Sequence, residues 1–364
     1  MNKIILNAID LFAGAGGLSL GISQAGFNII YANEMNKNAS DTYRYNFVEK
    51  MKHGTFIDTR DISRVEVSEI RRMTKGKHIH LIAGGPPCQG FSLAGNIGRK
   101  CSIDKRNELF LEFVRIVDSL QPEFFLMENV ASIARHRNGK TVSEIKSNFE
   151  RIGYKTNYSI LDAVNYGVPQ YRKRIFFIGN RIGSQNPFPK ATHDQIKKKF
   201  LNVQEVIGDL PELGNGEKNC KIPNHEAMLH TEGMLNKMRY VKDGGNRFQI
   251  PNKFRPKKGD ARKYIRYKSN APSVCITGDM RKVFHYSQNR ALTVRELARI
   301  QTFPDDFQFL GNRISQQLQV GNAVPPNLAR AVAKEIWNKL SVCGDNYGCR
   351  IAIQKVSTNK FYRK

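Results

Sequence analysis

The sequence predicts a doubly wound, mostly parallel α/β sheet joined to a second, smaller, loop-rich domain. Three observations predict it. Short apolar runs alternate with helix-period stretches through the first half of the chain. The first run passes through a glycine-rich turn directly into a helix. The βα rhythm then stops after about Pro211, where glycine, lysine and turn residues take over. The expected division is residues 1–210 for the principal domain, 211–289 for the smaller one, and 290–364 for a hinge and return segment that completes the first.

Each element has its own signal. Ile4 to Leu11 is an apolar strand ending in Phe12-Ala13-Gly14-Ala15-Gly16-Gly17, and a helix follows from about Leu18 to Ala25. Gly26 stands where a helix C-terminus favours glycine. Phe27 to Ala32 reads as a second strand with Glu34 past its end. His80 to Ala83 is another, running into Gly84-Gly85-Pro86-Pro87-Cys88. Leu109, Phe110, Phe113, Ile116, Val117 and Leu120 share one helical face. The strand Phe124 to Met127 follows, with Glu128 at its tip. Tyr154 to Leu161 and Ile175 to Ile178 are expected as two edge strands. Helical pattern returns at Leu292 to Phe303 and at Leu328 to Leu340. The glycine loop, Glu34, Cys88 and Glu128 all fall at strand carboxyl ends, where such sheets bind ligands.

Composition narrows the partners. The chain has 364 residues, 40 % of them hydrophobic, enough for a real core. Its formal net charge is +26, from 58 Lys+Arg against 32 Asp+Glu, which favours a polyanion, nucleic acid first. An anionic membrane surface ranks lower, because no lipidation motif accompanies the charge. No apolar run reaches the roughly 18 residues of a membrane span, and no signal peptide is read. The six cysteines are scattered without a CxxC pair, which suits a reducing cytosol and gives no zinc site. No metal is expected. Fourteen Lys/Arg stand against three Asp between Lys237 and Lys282, interleaved with Tyr240, Phe248, Phe254, Tyr264 and Tyr267.

Four placements point to chemistry. Glycines between a strand and a helix let a nucleotide-like ligand approach the backbone, although a tight structural turn would look the same. Here they run Gly14, Gly16, Gly17, so the third comes too early for GxGxxG. Glu34 can accept hydrogen bonds from both hydroxyls of a ribose. Cys88 lies between Gly-Gly-Pro-Pro and Gln-Gly-Phe-Ser, a setting that a core cysteine does not need. Glu128 is either a network carboxylate or a site residue, and its sheet-edge position favours the site. Strand alternation puts Gln170, Arg172 and Arg174 on one side of an extended segment.

Six segments, in order across nearly the whole chain, closely resemble the cytosine carbon-5 DNA methyltransferases. They are residues 10–17 (DLFAGAGG), 85–92 (GPPCQGFS), 128–130 (ENV), 170–174 (QYRKR), 290–296 (RALTVRE) and 321–326 (GNAVPP). The resemblance implies a Rossmann-like sheet of the S-adenosylmethionine-dependent methyltransferase type, with 211–289 as the target-recognition domain. It implies transfer of a methyl group from S-adenosylmethionine to carbon 5 of a flipped-out cytosine in a specific double-stranded DNA word. By position, Cys88 resembles the nucleophile that adds to carbon 6. Glu128 resembles the acid that grips the base, with Arg172 and Arg174 supporting it.

The same resemblance implies a cofactor set: Asp10, Phe12, Gly14, Gly16, Gly17, Leu18, Glu34, Met35, Asp61, Ile62, Pro86, Asn322 and Ala323. Phe12 would pack on adenine, Glu34 would hold the ribose, and Asp61 with Ile62 would read the adenine. Many members carry Trp where this chain has Met35. DNA contacts are expected from Gln89 and Ser92, and from Arg247, Arg255, Arg262, Arg266 and Arg281, because guanidinium matches the two acceptors of guanine. The expected protein is a monomer of the bacterial cytoplasm, associated with the nucleoid through DNA. It would protect host DNA in a restriction-modification system, beside a cognate endonuclease acting on the same site. A tRNA cytosine methyltransferase is the rival on the same fold. A nicotinamide-dependent oxidoreductase would leave Pro-Pro-Cys unexplained, and a non-catalytic DNA-binding protein would leave the glycine loop unexplained.

Overall fold

A computed structural model describes residues 5–87, 106–194, 196, 198–256, 260 and 263–345. Seven strands form the main sheet: β1 (Leu6–Leu11), β2 (Phe27–Asn33), β3 (Phe56–Asp58), β4 (Leu81–Gly84), β5 (Phe124–Val130), β6 (Lys155–Asp162) and β7 (Lys173–Asn180). Their order is β3-β2-β1-β4-β5-β7-β6. Every neighbouring pair is parallel except those of β7, which runs antiparallel to both β5 and β6. The expected sheet is therefore present, with one amendment. Of the two strands placed at the edge, only β6 is there, and β7 lies inside it.

Side-chain alternation builds a core on each face. Leu6 and Ala8 of β1, Phe124 and Leu126 of β5, and Phe176 and Ile178 of β7 point to one side. There they meet α1 (Gly17–Ala25) and the long α10 (Pro326–Asp345). Ile9 and Leu11, Phe125 and Met127, and Ile175 and Phe177 point to the other. That face is covered by α3 (Val67–Met73), α4 (Arg106–Leu120) and α5 (Lys140–Arg151). Phe125 is fully buried and stacks on Phe149 of α5 at 3.8 Å between centroids.

The register places the site residues. Asp10 pairs with Ala32 and Ala83, so β1, β2 and β4 end at one level. Glu128 lies opposite Phe176, and Val130 opposite Arg174. Because β7 is reversed, its first residues reach the rim where the parallel strands finish.

Between residues 200 and 325 the elements are short: α6 (Val203–Ile207), α7 (Glu232–Tyr240), α8 (Val294–Ile300) and α9 (Arg313–Asn322). β8 (Ile265–Arg266) and β9 (Val283–Phe284) form a two-stranded parallel ladder. Met238, Val241, Ile250 and Phe284 make a small separate core. The helix α2 (Lys37–Tyr43), capped by Asn36 accepting from the Ala39 N–H, also belongs to the fold. No helix among the described residues is long and apolar enough to cross a membrane.

Candidate active site

The ends of β1, β2, β4 and β5 open on a cavity of about 570 Å³. The turn after β1 forms its floor. Phe12 takes a left-handed backbone (φ 60°), uncommon for a large side chain, and lines the cavity. Gly14 donates its N–H to Glu34 Oε2 at 2.8 Å, and Asn36 donates to Oε1 at 2.7 Å. The carboxylate is thus held by the turn, and each oxygen keeps a second lone pair. Burial raises the pKa of Glu34, against the lowering effect of these two N–H groups. Met35, 64 % exposed, lines the cavity with Leu318 of α9, Asp61 and Ile62.

α1 begins against the returning chain. A Cβ on Gly17 would stand 2.4 Å from the Val324 carbonyl oxygen, so only glycine permits this approach. Leu18, Asn322 and Ala323 line the same region.

Across the cavity lies the acid. Glu128 Oε1 accepts from Arg174 Nε at 2.9 Å, with the side chains 12 % and 14 % exposed. Burial pushes the Glu128 carboxyl above its usual range, while the fields of Arg174 and Arg172 pull it down. Its neighbour Asn129 donates to the Pro86 carbonyl at 2.8 Å, tying the end of β5 to Gly85-Pro86-Pro87. Cys88, next in the chain, lies outside the described residues, as do Gln89, Ser92 and Arg262.

Three expected site residues stand behind the wall instead. Asp10 is fully buried, accepts from Ser19 Oγ at 2.6 Å, and has Oδ1 without a partner. Burial pushes its carboxyl up to about 7. Gly16 (φ 97°) is turned toward the Phe47 ring. Arg172, 1 % exposed, donates to the carbonyls of Ile276, Gly321 and Ala323.

The cavity also recruits residues that the sequence did not single out, Ser315, Leu318 and Gln319 of α9 with Asn33 and Asn36, and it takes in Leu109, read only as part of a helical face. Asn36 caps α2 by accepting from the Ala39 N–H, a signal the sequence reading did not use.

The basic segment sorts by burial. Arg266 is a correction to the set of guanine readers. Its five N–H donors go to the carbonyls of Val241, His285, Gln288 and Met238 and to Asn289 Oδ1, leaving none for a base. Arg255 donates to the Ile250 and Phe248 carbonyls, and Arg281 pairs with Asp279 at 2.9 Å. The guanidiniums of Arg247 and Arg255 lie 5.5 and 5.6 Å from the ring of Phe248, which is 67 % exposed. Among the described residues, no group of three or more His, Cys, Asp or Glu could hold a metal.

The profile of the C-5 cytosine-specific DNA methylase family matches residues 6–338. The chain is 52 % identical over 331 residues to Type II methyltransferase M1.HphI of Haemophilus parahaemolyticus, across 91 % of this chain and 86 % of that one. It is 35 % identical over 378 residues to Type II methyltransferase M.DdeI of Desulfomicrobium norvegicum, across 91 % and 88 %. Among solved structures it resembles one identified as a DNA modification methyltransferase encoded within an E. coli prophage. That TM-score is 0.74 at 26 % identity, covering 92 % of this chain and 99 % of that one. The S. pombe Dnmt2 methyltransferase gives a TM-score of 0.62 at 16 % identity over 93 % and 99 %, a likeness of fold alone.

Proposed function

The chain belongs to the C-5 cytosine-specific DNA methylase family, and from that membership we propose that it methylates carbon 5 of a cytosine flipped out of a specific duplex word, using Cys88 as nucleophile. The relatives named above are Type II methyltransferases, which supports protection of host DNA in a restriction-modification system. The tRNA reading has less support, since the matching family is one of DNA methylases and the relatives named above are Type II methyltransferases.

The residues fit S-adenosylmethionine. Glu34 offers a carboxylate oriented by Gly14 and Asn36 to a ribose diol. Phe12, Met35, Ile62 and Leu318 offer apolar surface to a purine, and Asp61 a carboxylate to its amine. Bound there, the cofactor supplies an electrophilic methyl group on a sulfonium.

Carbon 5 of cytosine is too weak a nucleophile to accept a methyl group unaided. A thiolate at Cys88 adds to carbon 6 and makes the ring an enamine, electron-rich at carbon 5. Glu128, whose carboxyl burial raises above its usual range, donates a proton to ring nitrogen 3 and neutralises the charge that develops. Arg174 fixes the acid and, lining the same cavity, would donate to the ring carbonyl. Once carbon 5 has taken the methyl group, a base removes the carbon-5 proton, and the electron pair left behind breaks the bond from carbon 6 to sulfur and releases the thiolate. Extruding the base costs a few kcal/mol, which phosphate contacts from the basic 211–289 segment offset.

The observation that carries this reading is the convergence of the Glu34 cradle, the Glu128–Arg174 pair and the Pro86-Pro87 lead into Cys88 on one cavity. Bisulfite sequencing of DNA from cells expressing the protein identifies the word. Duplexes bearing 5-fluorocytosine in that word trap the wild type covalently, because fluorine does not leave as a proton does. Cys88→Ser abolishes both methylation and the adduct while DNA binding persists. An adduct formed by the serine variant would exclude Cys88.

A further inference from the structure

Residues 273–278, inside the proposed 211–289 recognition segment, lie against residues 169–172 and Gly321 outside it. Ser273 donates its N–H to the Pro169 carbonyl at 2.8 Å, and Tyr171 donates to the Ser273 carbonyl at 2.9 Å. Three residues on, both backbone groups of Ile276 are held by buried side chains. Its N–H donates to Gln170 Oε1 at 2.9 Å, and its carbonyl accepts from Arg172 Nη1 at 2.8 Å. The other end of the same guanidinium holds the cavity wall, with Nη2 donating to Gly321 O at 2.7 Å and Ala323 O at 3.0 Å. A second chain of bonds runs alongside. Gln170 Nε2 donates to Gln301 Oε1 at 2.9 Å, and Gln301 Nε2 donates to Val320 O at 2.7 Å.

Gln170 and Gln301 are fully buried and Arg172 is 1 % exposed. The two strips of backbone also touch directly, since a Cβ on Gly321 would stand 2.4 Å from the Thr277 carbonyl carbon. Gly321 and Ala323 line the cavity, whereas Gln170, Arg172 and Gln301 do not. Arg172 directly, and Gln170 through Gln301, join Ile276 to 320–323, so moving either strip alone leaves buried polar groups unpaired.

We propose that the Gln170–Arg172–Gln301 seam couples engagement of the DNA word to the cofactor site, with Arg172 a positioning residue that joins Ile276 to Gly321 and Ala323. The proposal rests on the function proposed above. Recognition of the word seats 273–278, and the seam transmits that seating to the wall that closes on the cofactor. Coupling of this kind is reciprocal: cognate duplex tightens cofactor binding by the factor with which cofactor tightens the duplex.

The test uses the full chain and S-adenosylhomocysteine as the probe, titrated with and without duplex carrying the methylated word. Wild type is expected to bind the probe roughly 5- to 150-fold more tightly with cognate duplex, the common range of such linkage. In Gln170→Met, which keeps the side-chain volume but not the bonds, that factor falls toward one. Affinity for the probe without DNA is unchanged, a split that general destabilisation does not produce. Arg172→Lys, whose ammonium does not span three carbonyls, loses the factor as well, and Gln170→Met decides the matter if the lysine variant does not fold. A wild type with equal probe affinity in both conditions overturns the proposal, as does a folded Gln170→Met that keeps the full factor. A wild type that neither binds the probe nor methylates DNA overturns the proposed function itself.

Discussion

At the scale of single residues, the proposed mechanism turns on the proton of Glu128. Its carboxyl is raised by burial and restrained by Arg174 and Arg172. The acid works only when protonated, so turnover is level below its pKa and declines as pH rises through it. Glu128→Gln keeps the shape and one donor but cannot release a proton. It is expected to cost roughly 2 kcal/mol or more of transition-state stabilisation and to lose the alkaline decline of kcat. Turnover within about twofold of wild type would remove Glu128 from the mechanism. Glu128 was legible in the sequence because a carboxylate at the tip of an apolar strand is costly to desolvate unless a site uses it. Arg172 and Arg174 share the strand parity that suggested one role, yet their partners differ. Arg174 meets the acid, while Arg172 meets carbonyls from residues about 100 and 150 positions away. Nothing local in a sequence reports contacts at that distance.

At the scale of elements, apolar runs marked β1, β2, β4 and β5, but they carried no direction. Phe176 and Phe177 are both fully buried, on opposite faces, and that pattern is the same whether β7 runs parallel or antiparallel. α2 escaped notice because its buried face consists of Ala39, Ser40, Thr42 and Tyr43, and β3 because it has only three residues. α9 buries Gln317 and Gln319, which hydropathy scores as surface. The junction of α1 with the 322–324 strip gives a direct test. Gly17→Ala forces a methyl against a backbone carbonyl that has little room to yield. The expected loss is about 1–3 kcal/mol of stability, with weaker binding of S-adenosylhomocysteine. Unchanged melting and unchanged affinity would show that the two strips separate without cost.

At the scale of the whole molecule, charge sets behaviour toward DNA. With a net charge of +26 and about five phosphate contacts, log affinity is expected to fall against log salt with a slope near −4 to −5. A filter-binding series that shows no salt dependence would rule out phosphate neutralisation as the source of affinity. Arg266, consumed by its own fold, adds nothing to that slope. A different consequence follows from the way α10 packs on α1 and the 321–324 strip completes a cavity begun at Phe12. Leu328, Val332, Ile336 and Leu340 share one core with Leu6 and Ala8. A polypeptide still emerging from the ribosome lacks that closing helix, so its first strand waits for residues made more than 300 positions later. Ribosome-bound chains stalled before Val320 are expected to retain no S-adenosylhomocysteine, whereas released chains do. Retention by the stalled chains would show that the pocket forms without its final wall. Activity thus begins only after translation of this segment ends, and a cell that starts to make the protein meets an interval in which its DNA is still unmarked.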